Sequence, residues 1–197
     1  MQLIRNLDEK EIFKLVEPLY LSSSRDFAIW GWKAHVQVVA DFAAKLANKY
    51  SAHKPTCISA ALLHDVGDVK FDRGEKNDIY SKKTAIEFMS KSGATRDEAV
   101  KIFNEVIEPH SCYPGNKPDN IEGKVLATAD ALAHLTGDFY LRMLWMNFPD
   151  GLTYHKWIEW LLKKIERDFN SKIFWVNEKE EVKARYEALK LLFSKIL

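Results

Sequence analysis

Four residues are polar where the surrounding pattern asks for apolar ones. His35 lies on the stripe His35, Val38, Val39, Phe42, Leu46, spaced i, i+3, i+4, i+7, i+11 as on one face of a helix. His64-Asp65 closes the run Ala60-Ala61-Leu62-Leu63, and Asp130 sits inside Val125-Leu126-Ala127-Thr128-Ala129-Asp130-Ala131-Leu132. An unpaired buried carboxylate costs several kcal/mol, roughly, so these groups need partners. One divalent cation satisfies all four, because two neutral imidazoles and two carboxylates carry a charge that such an ion balances. Mixed nitrogen and oxygen donors suit Mn, Fe, Co, Ni or Zn and leave positions for water and substrate. Any one of these residues alone is better read as a hydrogen-bonded core histidine or a capping aspartate; three helices each contributing one make the case. Adjacent residues on a helix point about 100° apart. His64 and Asp65 can therefore share an ion only at a helix end or groove, and Gly67 supplies an end.

A second tier surrounds these four. Asp68, three residues past the doublet, is a carboxylate close enough to a cation to position or deprotonate a water, or else a helix-end cap. His110 continues the stripe Ala99, Ile102, Phe103, Val106, Ile107 and points inward unless Pro109 ends the helix first, leaving a loop histidine. His134 shares a helical face with Asp130, lining the pocket or filling a packing gap. Lys70, Arg73, Lys76, Lys82 and Lys83 follow the motif as possible phosphate ligands, with Asp72, Glu75 and Asp78 interleaved as on a solvated loop. Lys70 and Lys82 are the strongest of them.

The elements that must position these side chains are helical. The pattern predicts helices from about Ile29 to Leu46, Thr56 to Val66 and Tyr80 to Met89, then one opened by a Thr95/Glu98 capping box. Past the Pro- and Gly-bearing loop 111–120, a long helix is expected from about Ile121 towards Asn147, stopping before Pro149-Asp150-Gly151. Tyr154 to Phe169 reads as a strongly amphipathic helix. A last one carries Val182, Tyr186, Leu189, Phe193 and Ile196, with Asn177 as N-cap. Trp157, Trp160 and Trp175 read as core rather than as a base-stacking platform. No period-2 run is convincing, and the expectation is one all-α domain over 1–197, its motif-bearing part at 28–135 and helices 152–197 packed on it.

Composition agrees and excludes other classes. The 197 residues are 47% hydrophobic and 29% charged with net charge +1, a globular balance that offers no global field for nucleic acid or anionic membrane. Cys57 and Cys112 form no CxxC pair, against a disulfide scaffold or zinc knot. Neither a secretory signal at Met1–Asn6 nor an apolar run of about 20 residues is visible, so the expected setting is cytoplasmic.

The order His35 … His64-Asp65 … Asp130 resembles the HD-domain superfamily of metal-dependent phosphohydrolases. The words Ala34-His35-Val36-Gln37, Leu62-Leu63-His64-Asp65-Val66-Gly67-Asp68 and Ala127-Thr128-Ala129-Asp130-Ala131 carry the likeness, and Glu180–Leu192 is similar to the last helix of small bacterial members. The resemblance implies a compact multi-helix bundle with a metal site between core helices. It makes His35, His64, Asp65 and Asp130 ligands of a divalent ion (Mn, Fe, Co, Ni, Zn or Mg), with Asp65 able to bridge a second one. It gives Asp68 and Asp65 catalytic parts and His110 contact with substrate phosphate or a second metal. Together with the residue readings, Lys70, Lys82 and His134 complete the candidate substrate contacts. The expected activity is hydrolysis of a phosphoester or phosphoanhydride in a nucleotide or other small phosphorylated molecule. The alternatives are a non-hydrolytic metalloenzyme of the same superfamily, or a nucleotide- or metal-sensing module without catalysis.

Overall fold

The computed structural model describes residues 7–145 and 153–195. Among them the architecture is all-α, with no β-strand beyond an isolated bridge between Tyr113 and Asn116. No described helix is long and apolar enough to cross a membrane.

The first described helix has no counterpart in the sequence expectations. α1 (Glu9–Ser22) starts where the Asp8 carboxylate accepts from the amides of Lys10 and Glu11, and buries Ile12, Val16 and Tyr20 on one face. α2 (Asp26–Gly31), a π-turn at Trp32–Val36 and α3 (Gln37–Lys49) then follow without a break. The expected helix around His35 is present, but its buried face is rotated. Val36, Val39, Ala43, Leu46 and Ala47 are buried with His35, whereas Val38 and Phe42 are half-buried. The wide turn shifts the helical register, and the small Ala43 and Ala47 permit close packing on the next helices.

α4 (Lys54–Leu63) is the central rod, buried on nearly every side and packed against α1, α3 and α7. α5 (Glu75–Lys91) begins earlier than expected, just past Gly74. α6 (Arg96–Ile102) has the expected Thr95/Glu98 capping box. It runs on through a π-turn, Phe103–Ile107, and a 3-10 turn, Glu108–Ser111, that accommodates Pro109 near its start, where no donor is missed.

The single helix expected from Ile121 is two. α7 (Ile121–Thr136) stops where Gly137 adopts extended backbone, and α8 (Phe139–Trp145) restarts past Asp138, a break the sequence period cannot announce. The expected stop before Pro149 lies outside the described residues. α9 (Tyr154–Arg167) passes into a third π-turn, Asp168–Lys172. α10 (Val176–Ser194) packs on α7 and α9. Trp175, extended at φ −113° and ψ 139°, caps α10 in place of the expected Asn177, which is already helical. Val182 and Phe193 of the predicted stripe are buried, Tyr186 and Leu189 half-buried, and Ile196 lies outside the described residues. Trp157 is core as expected.

π-turns are rare and gather at functional positions. Here one carries His35, one leads into His110, and one carries Asp168 and Lys172.

Candidate metal centre

The end of α4 resolves the geometric problem of adjacent ligands. His64 keeps helical backbone (φ −62°, ψ −34°), while Asp65 leaves it (φ −113°, ψ 21°), which turns its carboxylate towards the imidazole before it. The turn is clamped from the α1–α2 elbow. The Tyr20 hydroxyl donates to the Asp65 carbonyl at 3.2 Å, Ser23 Oγ to the Val69 carbonyl at 2.6 Å, and Arg25 Nε to the Asp68 carbonyl at 3.0 Å. These three positioning residues escaped the sequence reading, because their signal is tertiary contact and not local pattern. Gly67, expected only as a helix end, meets a tighter demand. A Cβ there would lie 2.2 Å from Asn77 Oδ1 and Ser81 Oγ, so glycine is what lets α5 approach the turn.

The four expected donors converge. His35 Nε2 lies 3.1 Å from His64 Nε2, 3.3 Å from Asp65 Oδ2 and 3.4 Å from Asp130 Oδ1. His64 Nε2 lies 3.3 Å and 3.6 Å from the same two carboxylate oxygens. His64 Nδ1 donates to the Ala61 carbonyl at 2.7 Å, which orients Nε2 at the cluster. His35 Nδ1 and Asp130 Oδ1 are buried and have no hydrogen-bond partner. A buried carboxylate oxygen without a hydrogen bond, facing the ring nitrogens of His35, His64 and, at 3.2 Å, His134, is what a cation would satisfy, and the donor set fits a divalent ion of the Mn-to-Zn series.

Protons and cations compete for this cluster. Burial disfavours charge on His64, but Asp65 and Asp130 outweigh it and raise its pKa to about 10. Burial likewise opposes ionisation of Asp65 and Asp130. Neighbouring groups, His64 first for Asp65 and His134 then Lys172 for Asp130, nevertheless hold both well below the usual carboxylate range.

Behind Asp130 lies a sealed ionic layer. Lys172 Nζ contacts Asp130 Oδ2 and stands 3.6 Å from Asp168 Oδ1. Asp168 Oδ2 accepts from His134 Nδ1 at 2.8 Å and Lys164 Nζ at 3.1 Å, and also from the Tyr140 hydroxyl. Asp168 and Lys172 come from the third π-turn, and neither attracted notice in sequence. Each looks like an ordinary surface charge at the end of an amphipathic helix.

In front lies a cleft of about 540 Å³ whose walls include His64, Asp65, Asp68, Arg73, Asn77, Lys82, Phe103, His110 and Tyr113. Asp68 faces it and caps no helix. Its Oδ1 accepts from Asn77 Nδ2 at 2.6 Å and its Oδ2 from Arg73 at 3.3 Å. Burial, then the charge of Asp65, raises its pKa. His110 reaches the cleft beside His64, ring centroids 5.2 Å apart. Burial, then Lys172 and His64, lowers its pKa to about 3. Its Nδ1 donates to the Ile107 carbonyl at 2.6 Å, leaving Nε2 as an acceptor that lies 3.3 Å from Ser111 Oγ. Lys82 also lines the cleft, its Nζ donating to Asn104 Oδ1 at 3.0 Å.

Two expected substrate contacts are not brought to the cleft. Lys70 turns away, its ammonium 5.0 Å above the Tyr80 ring, where the aromatic face stabilises it better than open loop would. His134 stacks on His35 with centroids 4.8 Å apart and is closed off from the cleft behind that ring and Asp130. Arg73 was overshadowed in sequence by its neighbours. It stands 3.6 Å from Asp65 and 3.3 Å from Asp68 with a side chain 58% exposed, free to exchange those carboxylates for a ligand.

The fold and this cluster define an all-α protein built around a buried set of nitrogen and oxygen donors that could hold a metal ion. The HD-domain family model matches residues 33–135, more than half of the chain, and the chain belongs to that family. Members of the family are generally metal-dependent hydrolases. Neither the curated proteins nor the solved structures include one that matches the chain.

Proposed function

We propose that this protein is a metal-dependent phosphohydrolase acting on a nucleotide or another small phosphorylated molecule. The observation that carries the reading is that one cleft is lined both by the candidate donors His64 and Asp65 and by Asp68, Arg73 and Lys82, a carboxylate and two cations beside them. His35, His64, Asp65 and Asp130 would hold the ion. When bound, a divalent ion supplies Lewis acidity towards a phosphoryl oxygen and acidifies a neighbouring water.

The remaining roles belong to the chain itself. Asp68 takes the proton from the attacking water, since its raised pKa brings the carboxyl closer to that task. Arg73 leaves its carboxylate partners for two phosphoryl oxygens, which its planar fork matches. Lys82 adds a second cation at the rim. His110, neutral and with its Nδ1 proton engaged, accepts from a substrate hydroxyl or a protonated phosphate and does not donate to one. Phe103 and Tyr113 offer the cleft an apolar surface for a base or similar ring.

The test is elemental analysis of purified protein combined with a panel of phosphomonoesters, phosphodiesters and pyrophosphates, run alongside oxygen consumption. A stoichiometric ion with turnover of one phosphate class is expected. An ion retained with no hydrolysis anywhere on the panel sinks the reading. Oxygen uptake in that case moves the protein to non-hydrolytic chemistry, and its absence moves it to a sensing module.

A further inference from the structure

The buried layer behind the centre contains a cation that the proposed reaction does not use. Lys172 is 2% exposed, and its ammonium is held between Asp130 Oδ2 and Asp168 Oδ1. It comes from the π-turn 168–172, outside the residues that match the family. Its backbone is pinned as firmly as its head. Thr128, two residues before Asp130, donates from Oγ1 to the Lys172 carbonyl at 3.0 Å and accepts from the Phe174 amide at 3.2 Å. The same three-residue span of α7, 128–130, thus holds Lys172 by its carbonyl and by its ammonium.

We infer that Lys172 is a positioning residue that confines Asp130 to binding the ion through Oδ1 alone and weakens the grip of the donor set on that ion. The inference rests on the metal-centre reading above. Its first half follows from geometry: one oxygen of Asp130 is occupied by an ammonium, and the other makes no hydrogen bond and faces His35, His64 and, at 3.2 Å, His134. Its second half follows from charge. Asp65 and Asp130 bring −2 to the ion, and a buried ammonium in contact with one of them withdraws part of that attraction. Lys164 and Asp168 lie in the same layer and balance each other, so they do not cancel Lys172. An ion held less tightly by its carboxylates polarises a phosphoryl oxygen more, and the loaded site presents net positive charge to an anionic substrate.

The sign of one measurement separates this role from a packing role. Lys172→Met keeps the side-chain length and removes the charge. The affinity of the wild-type and variant proteins for Co²⁺ is read by competition with a chelator, with metal-difference infrared spectra recorded on aspartate-labelled protein. Lys172→Met is expected to bind Co²⁺ at least about tenfold more tightly and to gain a bidentate carboxylate band, while kcat falls. Lys172→Arg, which keeps the charge, should stay within about threefold of wild type. A lysine that merely packs predicts the opposite, weaker Co²⁺ binding in Lys172→Met, and that result overturns the inference, as does unchanged affinity. Should Lys172→Met fail to fold, the wild-type spectrum still decides: a bidentate aspartate band there overturns the inference, and monodentate bands alone support it. Wild-type protein that takes up no Co²⁺ removes the metal centre itself, an outcome distinct from a wild type that binds and a variant that binds no better.

Discussion

The two sides of the donor cluster are built from the same residue types and behave oppositely. On the cleft side, Arg73 and Lys82 touch carboxylate and amide partners from exposed positions, and Asp68 is reachable from solvent. On the far side, Lys164, Asp168 and Lys172 are sealed, each within 4 Å of an opposite charge and with Tyr140 and His134 closing the network. Exposed pairs are worth about 0–1 kcal/mol and exchange readily. A buried pair broken on one side leaves an uncompensated charge and costs about 3–5 kcal/mol. The difference separates tasks: the cleft side can trade its ion pairs for substrate, whereas the sealed side can only hold its shape. Chemistry should therefore be sensitive on both sides, but stability only on the sealed one.

The largest expected effect tests that division directly. His64→Ala and Asp130→Ala should both lose the bound ion and reduce phosphohydrolase activity to background. Only Asp130→Ala takes from Lys172 its contacting carboxylate, leaving Asp168 at 3.6 Å, so its melting should reflect a loss of about 3–5 kcal/mol, against about 1–3 kcal/mol for His64→Ala. Equal melting temperatures for the two would show that the sealed layer does not discriminate. Next in size is Asp68→Asn, which should lower kcat by about 10²–10⁴-fold with metal content intact by elemental analysis. If that variant loses the ion as the ligand variants do, Asp68 is itself a ligand. Arg73→Ala should raise KM about tenfold, equivalent to about 1.4 kcal/mol, and leave the melting temperature unchanged. A large drop in melting temperature there would erase the contrast between the sides.

A smaller effect concerns pH. The His64 pKa is raised to about 10 in the folded chain. Its contribution to the stability of the metal-free protein is thus full below the unfolded value of about 6.5 and is lost as pH rises through about 10. The ion must displace that proton, so its apparent affinity should rise over the same window. The gain in melting temperature on adding metal should then be larger at pH 9 than at pH 7, and calorimetry in buffers of different ionisation heat should show proton release. A gain that shrinks with pH would mean His64 is not the group displaced.

How much of this was legible in the sequence follows from what each residue answers to. His35, His64, Asp65 and Asp130 could be found because a polar side chain in an apolar stripe violates a local pattern, and the structure brings all four together. His110 could be placed by extending a stripe by one turn, and the turn at Pro109 does not redirect it. The sealed layer was invisible because Asp168 and Lys172 violate nothing locally. Their burial is decided by a π-turn and by the packing of α9 and α10 on α7, which no helical period records. The same limit hid the break at Gly137 and rotated the buried face of α3. Tyr20, Ser23 and Arg25 escaped for a third reason: each acts on the backbone of the His64-Asp65 turn, and backbone acceptors leave no mark in sequence.

The smallest expected effect separates two lysines that the sequence ranked together. Lys82 lies on the cleft wall with its ammonium at Asn104, while Lys70 lies over Tyr80 and Phe71 and lines no part of the cleft. Both are exposed, and beside its Asn104 bond Lys82 makes only a cation–π contact with the Phe103 ring at 5.4 Å, so Lys82→Ala and Lys70→Ala should each leave the melting temperature within about 0.5 kcal/mol of wild type. Their kinetics should part. Removing an exposed cation near an anionic substrate is worth about 0.2–1 kcal/mol, so Lys82→Ala should raise KM roughly twofold to fivefold and leave kcat unchanged. The effect should shrink as salt screens the charge, with a Debye length of about 8 Å at physiological ionic strength. Lys70→Ala should show no change at any salt concentration. A KM effect at Lys70 equal to that at Lys82 would mean that the substrate extends past the cleft towards Tyr80. The cleft side would then be wider than its walls indicate, and the contrast with the sealed layer would rest on stability alone.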